Sequence, residues 1–269
     1  MATKKLTVKD IFDLKGKRQF TEVFCRTPLE AAACEAAGID MVMVSGRNLD
    51  LKAFRDATPN MFLSFGLVFG DHVNADQAIR AGFDALRDGA DAVYAGYSFE
   101  VVERMANEGI PVVGHVGFIP YKATWFGGFK AVGKTADDAL KVYERTKAYQ
   151  DAGAIGVEIE LVPHKIAAEI TKRVKILCLS MGSGNQCDGQ YLFATDILGD
   201  NTGHIPRHAK VYRNFKAEYE RLHQESIAAF SEFKADTDSG AYPAKEHAIE
   251  VKDDEYEKFV AALDGPASF

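Results

Sequence analysis

Cysteine pairs, surplus basic charge and long apolar runs are all missing from this 269-residue chain. The four cysteines, Cys25, Cys34, Cys178 and Cys187, form no CxxC pair. Neither a structural zinc site nor a dithiol redox motif is therefore indicated, and unpaired thiols suit a reducing cytoplasm. Lys and Arg number 32 against 39 Asp and Glu, a net charge of −7. Phosphate binding needs clustered cations, so no nucleic-acid partner is expected. No apolar run approaches the roughly 18 residues that cross a bilayer, which excludes a membrane partner of that kind. The opening MATKKLTVKD lacks the apolar segment of a secretory signal. What remains is an ordinary globular composition, 47% hydrophobic and 26% charged.

Within that composition, short apolar runs alternate with helical patterns. Strands are read over residues 18–24, 40–45, 60–66, 91–96, 111–113, 154–160 and 175–180, with a weaker eighth near 191–194. Most are continuous in apolar residues, as parallel strands covered on both faces tend to be. Helices are read between them, over residues 27–37, 74–88, 98–108, 135–152 and 163–174. Thr27-Pro28 opens the first of these as N-cap and first-turn proline, and Gly38 stops it. Seven β/α alternations and an eighth predict an α/β chain folded as a (β/α)8 TIM barrel. No linker divides the chain, so residues 1–269 are expected to form one domain. Its barrel spans about residues 18–212, and an extra helical tail covers 213–269. The tail opens with a charged amphipathic helix over residues 213–234, suited to wrapping the barrel or packing on a neighbouring subunit.

In such a barrel the functional side chains stand at the C-terminal strand ends. These ends offer Ser45, Arg47 and Asn48, then Tyr94, His115, Glu158 and Glu160. Side chains alternate along a strand, so Glu158 and Glu160 share a face. Val157 and Ile159 suit the helix-covered side, which turns both glutamates inward. Buried carboxylates need a partner or a proton and concentrate at functional sites. Glu160, at the strand end, is read as catalytic, and the deeper Glu158 as a partner for a cation. The stretch PVVGHVGFIPYKATWFGGFKAVGK, residues 111–134, delivers His115 and then runs into a long Gly- and aromatic-rich loop of the kind that covers a site.

From about residue 18 to 247 the chain resembles the ketopantoate hydroxymethyltransferase family. The motifs that carry the likeness are VVGHVGFIP, FGGFKAVG, IELVP, MGSGNQCDGQ, GHIPRHAK and SGAYPAKEH, in that order. The resemblance implies a barrel of the phosphoenolpyruvate mutase/isocitrate lyase superfamily and a homo-oligomeric assembly. It also implies magnesium-dependent transfer of a one-carbon unit from methylenetetrahydrofolate to a branched 2-oxo acid. A metal there acidifies the C–H beside the carbonyl, and a glutamate removes the proton. By the family's motifs that glutamate falls on Glu160, and an active-site histidine falls on His115.

The family's acidic metal ligands have no counterpart. Its V-G-D-S motif meets Gly46-Arg47-Asn48, A-D-L-P meets Phe65-Gly66-Leu67-Val68, and K-I-E-G meets Tyr94-Ala95-Gly96-Tyr97. Arg47, a fixed charge suited to carboxylates, is expected to anchor the oxo acid in the metal's place, with Glu158 as its counter-charge. No metal ligand set is assigned; Asp71, His72 and Glu158 are the alternatives for a relocated ion. The reading is an aldol-type enzyme that makes or breaks a C–C bond beside the carbonyl of a 2-oxo acid. Its competitors are a non-catalytic or regulatory 2-oxo-acid-binding barrel, whose site an Arg47–Glu158 pair would fill, and another C–C lyase or hydrolase of the superfamily.

Overall fold

The computed structural model describes residues 5–265. Eight parallel strands close into a barrel in strict chain order: β1 (Phe20–Phe24), β2 (Met41–Ser45), β3 (Phe62–Gly66), β4 (Ala92–Tyr94), β5 (Val112–Gly117), β6 (Gly156–Glu160), β7 (Leu177–Met181) and β8 (Gly189–Phe193), with β8 pairing back onto β1. Helix α1 (Val8–Leu14) precedes the barrel. Between the strands lie α2 (Pro28–Ala37), α3 (Leu51–Ala57), α4 (Ala75–Arg87), α5 (Phe99–Asn107), the short α6 (Ala123–Phe126), α7 (Ala136–Asp151) and α8 (His164–Arg173), and α9 (Ala194–Leu198) follows β8. The (β/α)8 expectation holds, including the weak eighth strand.

Local chemistry explains the element ends. Thr27, Asn74, Ser98 and Thr135 each accept a hydrogen bond from a first-turn backbone N–H of the helix they precede. Gly38 ends α2 in the left-handed conformation at φ 78°. Strand alternation sorts the core into two layers. Val42, Val44, Leu63, Val93, Val116, Val157 and Ile159 face the helices. Phe20, Met41, Phe62, Ala92, Leu177 and Leu179 fill the barrel interior, where Ile11 of α1 joins them at the N-terminal end.

The MGSGNQCDGQ segment closes the ring between β7 and β8. The Asp188 carboxylate accepts from the backbone N–H of Cys178 at 2.8 Å and pairs with Lys15, while its carbonyl accepts from Phe20 N at 2.8 Å. A Cβ on Gly189 would lie 2.7 Å from Leu179 and 3.1 Å from the Phe20 carbonyl, so only glycine lets the strands meet there.

The chain divides into two compact units, residues 1–214 and 215–269. In the second, α10 (Phe215–Ser239) runs longer than the expected 213–234 helix and presents Tyr219, Leu222, Phe230 and Phe233 exposed; α11 (Asp253–Leu263) follows it. Among the described residues no helix is long and apolar enough to cross a membrane.

Candidate active site

The pairing of β5 with β6 builds the chemical centre. His115 lies opposite Glu158 in the register, and Gly117 lies opposite Glu160. Because side chains alternate, His115, Glu158 and Glu160 share the interior face. Gly117 contributes no side chain, which leaves His115 free to lean toward Glu160: its Nε2 is 2.9 Å from Glu160 Oε2, while its Nδ1 is 3.9 Å from Glu158 Oε2. Glycine is required at 117. Its φ is 82°, and a Cβ there would come within 2.2 Å of the Glu160 carbonyl. That carbonyl accepts from Phe118 N at 2.8 Å, which ties the two strand ends together.

The backbone after Glu160 is strained and clamped. Leu161 is non-glycine at φ 51°, a conformation that persists only where its surroundings over-determine it. Its N–H donates to the Met181 carbonyl at 2.9 Å, and its carbonyl accepts from Val132 N at 3.0 Å. Ser183, in the Gly-Ser-Gly turn after β7, completes the clamp. Its buried hydroxyl donates to the Ile159 carbonyl at 2.8 Å and accepts from Val162 N at 2.9 Å. Ser183→Ala strands both backbone groups and is expected to cost about 2–3 kcal/mol. A urea titration reads this as a lower midpoint with an unchanged slope.

These groups open into a cavity of about 570 Å³ at the C-terminal mouth of the barrel. Ser45, Tyr94, His115, Glu158 and Glu160 line it, beside apolar walls from Phe24, Met43, Val113 and Met181. The loop after β5 supplies the outer wall. Tyr121 stacks on Phe69 at 3.8 Å and donates its hydroxyl to the Gly96 carbonyl at 2.7 Å, while Phe129 packs edge-on to Phe118.

Charge in this cavity is one-sided. The ionisable carboxylates on its wall are Glu158, Glu160 and Asp196, against His115 and His208, with no Lys or Arg among the lining residues. Burial drives the Glu158 pKa up to about 7, with Glu160 adding to the rise and His115 opposing it. Burial disfavours a charged His115, yet Glu158 and Glu160 outweigh it and hold its pKa above the usual value. Below them, Glu22 on β1 is pushed to about 8 by burial; Tyr94 donates to its Oε2 at 2.8 Å, and among the described residues its Oε1 has no partner.

Arg47 and Asn48 do not reach this cavity. Asn48 turns the chain at φ 57°, and Arg47 points onto Asp71, with Nη2 donating to Oδ1 at 2.6 Å and Nε shared between Oδ2 at 3.0 Å and Oδ1 at 3.1 Å. The expected Arg47–Glu158 pair is therefore replaced by two others: Arg47 with Asp71, and Glu158 with His115. Asp71 and His72 are likewise away from the cavity, and His72 Nδ1 sits 2.8 Å from the Tyr97 hydroxyl. Reasoning from sequence missed Glu22, Asp196 and His208. Glu22 was readable, since alternation in FTEVF puts it on one face with Phe20 and Phe24. Asp196, at 3% exposure, and His208 come from α9 and the loop beyond it, where no strand alternation announces them.

A sequence model of the ketopantoate hydroxymethyltransferase family matches residues 48–245. The chain belongs to that family. A 3-methyl-2-oxobutanoate hydroxymethyltransferase from a Geobacillus species is 32% identical over 93% of this chain and 96% of the relative. The enzyme of that name from Thermosipho melanesiensis is 29% identical over 90% of this chain and 98% of its own. Among solved structures, phosphonopyruvate hydrolase shares the fold, with a TM-score of 0.51 at 15% identity over 96% of this chain.

As a ketopantoate hydroxymethyltransferase family member, this chain departs from the pattern where the resemblance puts acidic metal ligands. A Cβ on Gly66 would lie 2.6 Å from Met43 Cε and 2.9 Å from Ser45 Oγ. One on Gly96 would lie 2.4 Å from the Tyr121 hydroxyl. The ends of β2, β3 and β4 thus carry no carboxylate toward the cavity, and at two of the positions a side chain would have to displace Met43 and Ser45 or Tyr121. Magnesium held in the family's manner does not fit there.

Proposed function

We propose that the protein transfers a hydroxymethyl unit to the carbon beside the carbonyl of a 2-oxo acid, with 3-methyl-2-oxobutanoate as substrate. The observation that carries the reading is the Glu160–His115 pair, 2.9 Å apart at the mouth of a cavity of a ketopantoate hydroxymethyltransferase family member. Glu160 is the general base. It takes the proton from the C–H beside the carbonyl, and the electron pair of that bond becomes an enolate. The enolate carbon then forms a C–C bond to formaldehyde, free or released from the folate by hydrolysis, as the C=O π bond breaks, and the resulting alkoxide takes up the proton held by Glu160 to give the hydroxymethyl group. His115 donates to Glu160 and fixes its orientation, and after proton transfer its raised pKa keeps a proton available beside the new acid.

The apolar walls from Val113, Met43 and Phe24 suit a branched alkyl group and exclude water, which would otherwise quench the enolate. Ser45 and Tyr94 supply the polar wall. A non-catalytic barrel is disfavoured, because it calls for a site filled by Arg47 and Glu158, and Arg47 lies on Asp71. Four unpaired cysteines support a cytoplasmic setting. The exposed apolar side chains of α10 support a homo-oligomer, in which a second copy would cover them.

The test is product formation by NMR, with 3-methyl-2-oxobutanoate and either methylenetetrahydrofolate or formaldehyde. Hydroxymethylated acid is the expected product, and the active donor identifies the one-carbon source. Absence of product with both donors would sink the proposal.

A further inference from the structure

An enolate, a 2-oxo carboxylate and two or three wall carboxylates cannot share a water-excluded cavity without a cation. Among the described residues the cavity wall offers no lysine or arginine. Of its two imidazoles, His115 is already committed to Glu160 and burial disfavours a charge on His208, which is too little to offset them. Glu158 makes this imbalance concrete. It is only 7% exposed, it lines the cavity, and among the described residues no hydrogen bond reaches its carboxylate; its cationic neighbour is His115 at 3.9 Å, and the like charge of Glu160 lies close by. A buried carboxylate left in that state is costly unless a proton or a cation meets it.

We propose that His115, Glu158 and Glu160 form a seat for one divalent first-row transition-metal ion. One nitrogen of His115 and one oxygen from each glutamate already lie within 4.8 Å of one another. An ion held at about 2.0–2.2 Å from each donor draws the widest pair in by roughly 1 Å, and with one oxygen of Glu160 as donor the other stays free to act as the base. The seat is built on adjacent strands, β5 and β6, whose register fixes the three positions before any ion arrives. This is distinct from the ends of β2, β3 and β4, where Gly66 and Gly96 leave no ligand.

The donor set also selects the ion. One imidazole with two carboxylates suits manganese, iron, cobalt or zinc better than magnesium, which prefers oxygen donors throughout and keeps its waters. Three protein donors leave coordination positions open toward the cavity. The inference rests on the reading of this cavity as the catalytic site, and it supplies the positive charge that reading lacks.

The test uses the full-length protein, stripped by chelator and dialysed against cobalt(II) alone. Bound cobalt is quantified by elemental analysis, and its ligand-field spectrum is recorded. One cobalt per chain is expected, with affinity at least about tenfold weaker in Glu158→Gln and in His115→Asn. Melting curves establish that each variant is folded, and Glu22→Gln, outside the seat, is expected to bind cobalt like the wild type. No stoichiometric cobalt, or binding unchanged by either seat substitution, overturns the proposal. Exchange of the substrate's α-proton, followed on the same samples, keeps the two claims apart. Exchange without bound cobalt removes the seat and leaves the enolising reading; bound cobalt without exchange leaves the seat and removes that reading.

Discussion

Replacing Glu160 by glutamine is expected to slow solvent exchange of the proton on C3 of 3-methyl-2-oxobutanoate by about 10²–10⁴-fold, the range of a lost general base. Glutamine fills the same volume and can still bond His115, so the strand end and its clamp through Ser183 remain intact. The loss should fall on the rate, with substrate affinity changed far less, because the carboxylate acts on the reacting bond. Deuterium incorporation followed by proton NMR at saturating substrate reads this directly. Exchange in Glu160→Gln at more than a tenth of the wild-type rate would mean that another group is the base.

The second large effect concerns stability and lies one layer deeper. Glu22 is fully buried, its pKa is raised by that burial from 4.5 to about 8, and one of its oxygens has no partner among the described residues. Its sign is the reverse of a salt-bridged carboxylate. Below pH 4.5 both folded and unfolded chains hold the proton, and Glu22 costs nothing. As pH rises, the unfolded chain releases the proton while the folded chain keeps it, so stability falls until the folded pKa near 8 is passed. The accumulated penalty is about 3–5 kcal/mol. Glu22→Gln removes it while preserving an acceptor for the Tyr94 hydroxyl. The variant should therefore melt with the wild type near pH 4.5 and about 6–12 °C above it at pH 8. Equal melting temperatures at pH 8 would show that Glu22 is not held as a neutral acid.

The barrel could be read from the chain because its strands carry their signal locally. The runs MVMV and AVY are apolar throughout, and the capped helices after Thr27, Asn74 and Thr135 separate the strands at regular intervals. The inward aspect of Glu158 and Glu160 followed from alternation alone, since apolar Val157 and Ile159 could face only the helices. Arg47 could not be placed in this way. It lies beyond the end of β2, where the left-handed turn at Asn48 redirects the chain, and its direction is set by Asp71, 24 residues on. The partnership of His115 with both glutamates needed the β5–β6 register, a long-range property that no local pattern encodes. Asp196 and His208 reach the cavity from segments after the last strand, and their contribution is visible only once the barrel has closed.

Enolisation is the central claim, and the most direct measurement is α-proton exchange by the wild-type protein with no one-carbon donor present. With 3-methyl-2-oxobutanoate in deuterated buffer, the account predicts loss of the C3 proton signal at a rate proportional to protein concentration. Substrate that binds, raising the melting temperature, while its C3 proton stays in place would contradict it.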